Sequence, residues 1–418
     1  MGKRVLIICY SFPPHPGIGG RRWVKFAKYL KKRGYEINII SSENPFSDSQ
    51  SEWLKDADGL LVHKLPLNYP KSLITYPSGI VDKIKYQIAL LKVKFLGKGN
   101  YYDRTLFWKK AILKKSTEII IKENIQNVIV SGAPFHLLYH ASKLKQIHTN
   151  INLIVDFRDF WTIDTSLSPF ATFSQKRKME ELKREQYVCN AADKIICVSE
   201  EMSTYFNKVA NKKKAYTIPN GYDKEDLLEI NTEKKTNKKT ISFVFTGNLY
   251  NNIDNVFKPF CNAIIDVKNM YPELYKRLEF NFFGNHSHAH RQYVIKNNLY
   301  CITFHNAIPL KSTLEEINNS DYCMLFLNDI YAFSLSTKFY EYILLKKEIV
   351  LFSQWGKASE YIVENKLGYW IKPDDTLKDL LQLIRDHESG TQATRSEKFD
   401  YTQFSIEKII PRLEELLI

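Results

Sequence analysis

Short apolar runs recur along the chain, separated by stretches whose apolar residues fall at helical spacing. Arg4–Tyr10, Tyr35–Ser41, Leu60–Leu65, Asn127–Ser131, Asn152–Phe157, Lys194–Val198 and Ala215–Ile218 read as strands. Helical patterns separate most of them, at about 21–33, Leu137–Lys145 and Ser174–Asn190, and Gly34 stops the first helix. A charged, weakly apolar run from Lys224 to Lys239 interrupts the pattern, after which it restarts. Strands are expected at Ile241–Thr246, Glu279–Phe283, Ile302–His305, Tyr322–Leu327, Ile349–Phe352 and Tyr369–Ile371. Helices are expected near Val256–Met270, Arg291–Asn298, Leu310–Asn319, Thr337–Leu345, Ser359–Asn365 and Leu377–Asp386. This alternation predicts an α/β chain of two doubly wound, Rossmann-like domains that face each other, with parallel sheets. The expected divisions are residues 1–223, a linker over 224–240, a second domain over 241–400, and residues 401–418 as a helix returning to the first domain. Pro411 is expected to kink or split that helix.

Composition narrows the chemistry without choosing it. At 418 residues the chain exceeds one ordinary core. Sixty Lys and Arg against 46 Asp and Glu give a formal net charge of +14, which favours nucleic acid, phosphorylated small molecules or an anionic membrane surface as partners. Six scattered cysteines lack a CxxC pair and read as free thiols. The opening residues are too short for a signal peptide, and no 18-residue apolar run suggests a membrane span. A cytoplasmic protein is expected. The basic and apolar segment Lys71–Lys110, Ile84–Phe95 above all, reads equally as an interfacial helix on anionic lipid or as a helix covering the sheet.

Ligands of doubly wound sheets bind beyond the carboxyl ends of the strands, so the loops there carry the candidate residues. The central stretch is Ser334–Tyr342. Ser334, Ser336 and Thr337 stand at a helix start, Lys338 adds charge to its free N–H groups, and Glu341 lies one turn on. A phosphate and a sugar hydroxyl would satisfy both charges; a capped amphipathic helix with a surface ion pair is the other reading. Gly17-Ile-Gly-Gly-Arg-Arg22, with Gly19 and Gly20, permits backbone approach to a phosphate, or is a tight turn followed by solvated arginines. In Asp156-Phe-Arg-Asp-Phe-Trp161, Arg158 is a candidate for leaving-group charge and Asp156 or Asp159 for sugar hydroxyls, the alternative being an Arg–Asp lock. Ser131 and Gly132 are placed for ligand approach, whereas His136 suits packing better than catalysis. Gly247 ends the first strand of the second domain. His286-Ser-His-Ala-His290 reads as an exposed loop rather than a zinc site.

Taken together, these loops resemble the retaining glycosyltransferases of family 4, which have the GT-B fold. The resemblance rests on Phe12-Pro-Pro with Gly17-Ile-Gly-Gly-Arg, Ser131-Gly-Ala-Pro, Asp156-Phe-Arg-Asp-Phe-Trp, Ala192-Asp-Lys-Ile-Ile-Cys-Val-Ser-Glu, Ile218-Pro-Asn-Gly, Phe245-Thr-Gly-Asn and Ser336-Thr-Lys-Phe-Tyr-Glu-Tyr. It implies that a nucleotide sugar, UDP- or GDP-linked, binds mainly to the second domain, with the Gly19–Gly20 loop facing its diphosphate. It also implies that N–H groups near Ser336 and Thr337 meet the diphosphate and that Glu341 holds the ribose, as second glutamate of the family's E-x7-E motif. Three positions depart from the family pattern: Phe333 stands for the first glutamate, Arg158 for the sugar-contacting histidine, and Asn248 for an arginine, whose charge Lys338 replaces.

The expected activity is retaining transfer of a sugar to a hydroxyl of a glycan or lipid-linked acceptor in surface polysaccharide assembly. No metal and no nucleic acid are expected, and peripheral contact with an anionic membrane is allowed for. A GT-B sugar-nucleotide epimerase and a basic nucleic-acid-binding protein are the competing readings.

Overall fold

The structure is a computed structural model that describes residues 3–15, 18–45, 51–75, 77–163, 169–228, 230–231, 239–249, 251–328, 335–390 and 399–418. Gly17, Phe333 and Ser334, all singled out above, lie outside the described residues. The chain divides into two compact units, Met1–Asn220 with Ile406–Ile418, and Gly221–Ser405.

In the first unit, strand β1 (Arg4–Cys9) leads to helix α1 (Arg21–Lys32), β2 (Glu36–Ser42) and β3 (Leu61–Leu65). Helices α2 (Ile80–Leu96) and α3 (Lys109–Lys122) precede β4 (Asn127–Gly132), and α4 (Phe135–Ala141) and α5 (Leu144–Ile147) precede β5 (Asn152–Phe157). Helix α6 (Gln175–Ala191), β6 (Lys194–Cys197), α7 (Glu200–Ala210) and β7 (Ala215–Thr217) complete the run. The seven strands form one sheet in the order β3-β2-β1-β4-β5-β6-β7, and every paired neighbour is parallel. Val5–Ile8, Val128–Val130 and Leu153–Val155 are fully buried, as central parallel strands covered on both faces require.

The second unit repeats the plan. Strand β8 (Ile241–Thr246) is followed by α8 (Asp254–Met270), α9 (Pro272–Tyr275), β9 (Leu278–Phe283), α10 (His288–Lys296), β10 (Ile302–His305), α11 (Leu310–Asn319) and β11 (Tyr322–Phe326). Then come α12 (Thr337–Leu344), β12 (Glu348–Phe352), α13 (Lys357–Glu364), β13 (Gly368–Ile371) and α14 (Thr376–Ser389). The six strands are ordered β10-β9-β8-β11-β12-β13, again all parallel. Phenylalanines dominate one side of this core, where Phe260 packs edge-on against Phe280, Phe326 and Phe352.

Two boundary residues fall differently from the sequence division. Tyr222 pairs with Ser405 and packs in the second core, donating its hydroxyl to the Tyr401 carbonyl. Phe404 packs edge-on against Phe339 and Tyr340, so residues 401–405 stay with the second unit. The returning helix α15 (Ile406–Glu414) lays Ile406, Ile409, Ile410 and Leu413 on the first core, beside α1. It runs through Pro411 unsplit. The amide that proline lacks would have bonded the carbonyl of Glu407, a residue on the solvent side, while the buried face continues past it.

Candidate functional site

The head of α12 is assembled from three loops of the second unit. Gly247 follows β8 with φ +132°, a conformation other residues rarely adopt, and a Cβ there would lie 2.2 Å from Lys338 Cε. Gly284 follows β9 with φ +141°, and a Cβ there would lie 2.3 Å from the Gly247 carbonyl oxygen. The two glycines therefore stack loop on loop, and together they open the space that the Lys338 stem occupies. Asn248 braces the pair, its Oδ1 accepting from the Asn285 amide at 2.9 Å.

Lys338 lies in the first turn of α12 with its ammonium 5.2 Å from the centre of the Phe245 ring. Among the described residues it has neither a hydrogen-bond acceptor nor an ion pair. Surrounding protein lowers its pKa, and the charge of Glu341 opposes that shift. Ser336 occupies the N-cap in extended conformation, yet its hydroxyl caps nothing: it is buried without a hydrogen-bond partner. Thr337 starts the helix. Serine at an N-cap normally accepts from an early helical N–H, so this helix begins without its usual side-chain cap. Glu341, 7% exposed, lies one turn further along. An ammonium and a helix start without a side-chain cap together suit an anion with several oxygens.

In the first unit the candidates gather more closely but are spent on one another. Asp156 is fully buried at the end of β5; its Oδ2 accepts from Trp23 Nε1 and Ser131 Oγ, both at 2.7 Å, and its Oδ1 lies 3.4 Å from Arg22 Nη2. Arg22 also donates to the carbonyls of Pro219 and Ile218 at 2.9 and 2.8 Å and to Asn220 Oδ1 at 3.2 Å. Arg21 and Arg22 are thus buried rather than solvated, and Asp156 closes a lock between α1, β4, β5 and the 218–220 turn. As placed, the Ser131 and Asp156 side chains bond each other inside this unit.

Arg158 donates through Nη1 to the Gly19 carbonyl at 2.8 Å, through Nε to Gly132 at 3.0 Å and through Nη2 to Ala133 at 3.2 Å. It fastens the Gly19–Gly20 turn to the loop after β4. Gly20 is the N-cap of α1, packed so that a Cβ would sit 3.4 Å from backbone atoms of Ser11 and Phe12. The Asp159 side chain reaches solvent, but enough protein rings it to raise its carboxyl above the ordinary range; Asp156 adds to that shift and Arg158 opposes it. His136 lies in a buried network, its Nε2 2.8 Å from Glu181 Oε1 and 2.7 Å from Arg184 Nη1.

Sequence reasoning missed Gly284 and the Phe245 platform. The available signal was positional, a glycine directly after β9 as Gly247 directly follows β8. It also misplaced 286–290: Ser287 caps α10, His290 is buried with Nε2 2.8 Å from Asp254 Oδ1, and burial lowers the half-buried His286 to about 4. Histidines packed on phenylalanines replace the exposed loop expected there.

Residues 19–226 match the family described as Glycosyltransferase Family 4. The chain carries a glycosyltransferase family 4 domain. No curated protein sequence matches it. Among solved structures, this glycosyltransferase is similar to a sucrose-phosphate synthase from Thermosynechococcus elongatus, with TM-score 0.65 at 12% identity over 99% of this chain and 98% of that one. It is also similar to the trehalose-6-phosphate protein from E. coli bound with UDP-2-fluoro glucose, with TM-score 0.64 at 13% identity over 99% and 98%. The S. aureus MnaA–UDP co-structure gives TM-score 0.56 at 10% identity over 99% and 95%. At these identities the likeness is one of fold, the two-domain GT-B architecture.

Proposed function

We propose that this glycosyltransferase moves a sugar from a nucleoside-diphosphate sugar to a hydroxyl of a glycan or lipid-linked acceptor, with retention at the anomeric carbon. The observation that carries this reading is the unpartnered Lys338 ammonium against Gly247 at the uncapped start of α12. The donor's diphosphate takes the N–H groups near Ser336 and Thr337 together with Lys338, and Glu341 takes the ribose. As the sugar–phosphate bond breaks, negative charge grows on the diphosphate, and preorganised donors stabilise that change more than the ground state. In the first unit, Gly19 and Gly20 are the candidates for backbone approach to a phosphate. Arg158 acts as a positioning residue, through the carbonyls it holds on that turn. Asp159 remains as the carboxylate of this loop for sugar hydroxyls.

Two similar folds carry UDP or a UDP-sugar relative, which favours UDP as the first base to test. Melting the protein with UDP, GDP and their sugars identifies the donor: a ligand at a hundred times its Kd adds about 2.7 kcal/mol to stability. With that donor, Lys338→Ala is expected to lose about a hundredfold in turnover while its melting temperature holds. Near wild-type turnover removes Lys338 from the site and the reading with it. Charge supplied by the protein predicts full activity in EDTA; loss restored by magnesium overturns that part. NMR of the new anomeric centre tests retention, and epimerised donor without acceptor favours the epimerase.

A further inference from the structure

Helix α2 of the first unit leaves its apolar residues outside. Only Val93 of its 17 residues is buried. Ile80, Val81, Ile84, Ile88, Leu91 and Phe95 are exposed, from 54% for Ile84 to 90% for Phe95. At about 100° per residue these six fall within a single arc of about 100°, a continuous stripe along the outer face. Lys85 and Lys92 border it on one side, Lys83 and Lys94 on the other. The helix's one acid, Asp82, lies outside the stripe, where its Oδ2 accepts from Ser78 Oγ at 2.7 Å.

The stripe is held in place from behind. Arg177 of α6 donates to the carbonyls of Lys94, Gly97 and Gly99 at 2.6, 2.8 and 2.7 Å, and thereby caps the negative end of α2. Four residues along α6, Glu181 accepts from the Asn100 amide at 2.8 Å. An outward apolar face on an anchored helix is a surface that meets something.

We infer that α2 lies in the plane of a bilayer rich in anionic lipid, its stripe among the acyl chains and its lysines on the headgroups. Charge selects this occupant. Two copies joined stripe to stripe would bring lysine rows against lysine rows, whereas phosphate headgroups pair with both rows while the lysine stems extend to the interface. No described helix is long and apolar enough to cross a membrane, so α2 docks and does not span. The inference does not depend on sugar transfer.

The test is flotation of the full chain with phosphatidylcholine vesicles, alone or with about a third phosphatidylglycerol. The wild type is expected to float with the anionic vesicles and at least tenfold less with the neutral ones. Ile84→Glu, Leu91→Glu and Phe95→Glu together should abolish flotation, and each of Lys83, Lys85, Lys92 and Lys94 changed to Gln should weaken it roughly fivefold. Phe95→Trp, a mild change, keeps the test alive if the triple variant fails to fold: its emission should shift to the blue on anionic vesicles. Wild type that stays in solution, or a triple variant that floats as well, overturns the inference. So does a wild-type dimer in sedimentation that the triple variant abolishes with no vesicle binding in either, since the occupant is then a second copy.

Discussion

Lys64 and Lys338 are both lysines whose pKa burial lowers, one in each unit, and they spend their charge in opposite ways. Lys64 donates to the carbonyls of Phe12 and Pro13 at 3.2 and 2.9 Å and to Ser41 Oγ at 2.9 Å, three acceptors for three protons. Lys338 has an aromatic face beneath it and no acceptor among the described residues. The same contrast separates Asp156, its Oδ2 twice hydrogen-bonded and its Oδ1 facing the Arg22 guanidinium, from the open head of α12. Charge density at a strand end therefore does not mark a site; charge left over after the protein has satisfied itself does.

The sharpest way to break this contrast is Asp156→Ala, which removes the counter-charge of the buried Arg22 guanidinium and the acceptor of the Trp23 indole and the Ser131 hydroxyl. It is expected to destabilise the first unit by about 3–5 kcal/mol in a denaturant melt, with Asp156→Asn costing less. A stable Asp156→Ala that has lost only turnover would move the carboxylate from lock to substrate. Next comes Gly247→Ala. The new methyl meets Lys338 Cε in a backbone region hostile to side chains, so about 1–3 kcal/mol of stability and most of the donor affinity should go, read by melting with and without donor. A variant that binds donor normally would show that the lysine need not lie where it does.

Arg158→Ala is expected to cost about 1–3 kcal/mol, because three carbonyls lose their donor at a half-exposed site. Unchanged melting with collapsed turnover would make Arg158 a substrate contact instead. The smallest effect is on pH. Lys64 titrates at about 8 in the folded chain against 10.5 unfolded. Below pH 8 both states are protonated and the burial penalty is fully present; between 8 and 10.5 the unfolded state holds more protons, so stability rises with pH through that window. Lys64→Met should remove that rise, seen as a shrinking gap between the two melting curves from pH 8 to 10.

The repeating strands and helices of both units were legible because central parallel strands are apolar runs whichever neighbours they find. The start of α12 was legible too, since Ser336, Thr337 and Lys338 are local signals. The Asp156 cluster was not. A charged strand end looks the same in sequence whether its partner is a ligand or a tryptophan on α1, and that pairing exists only once β1, β4 and β5 lie side by side. His290 misled for the same reason, since its partner Asp254 belongs to another helix. Helix α2 stayed ambiguous because its pattern fixes which residues share a face but not whether protein covers it.

The return of α15 to the first unit has a consequence for how the chain comes off the ribosome. Ile406, Ile409, Ile410 and Leu413 fill a trough in a core otherwise made of residues before 221, and the Leu416 carbonyl accepts from Asn152 Nδ2 and Lys194 Nζ. The earliest translated unit therefore waits, its trough bare, while the whole of the later one is synthesised, a delay on the order of ten seconds. Its last piece of core is translated only after a second unit that can already have folded.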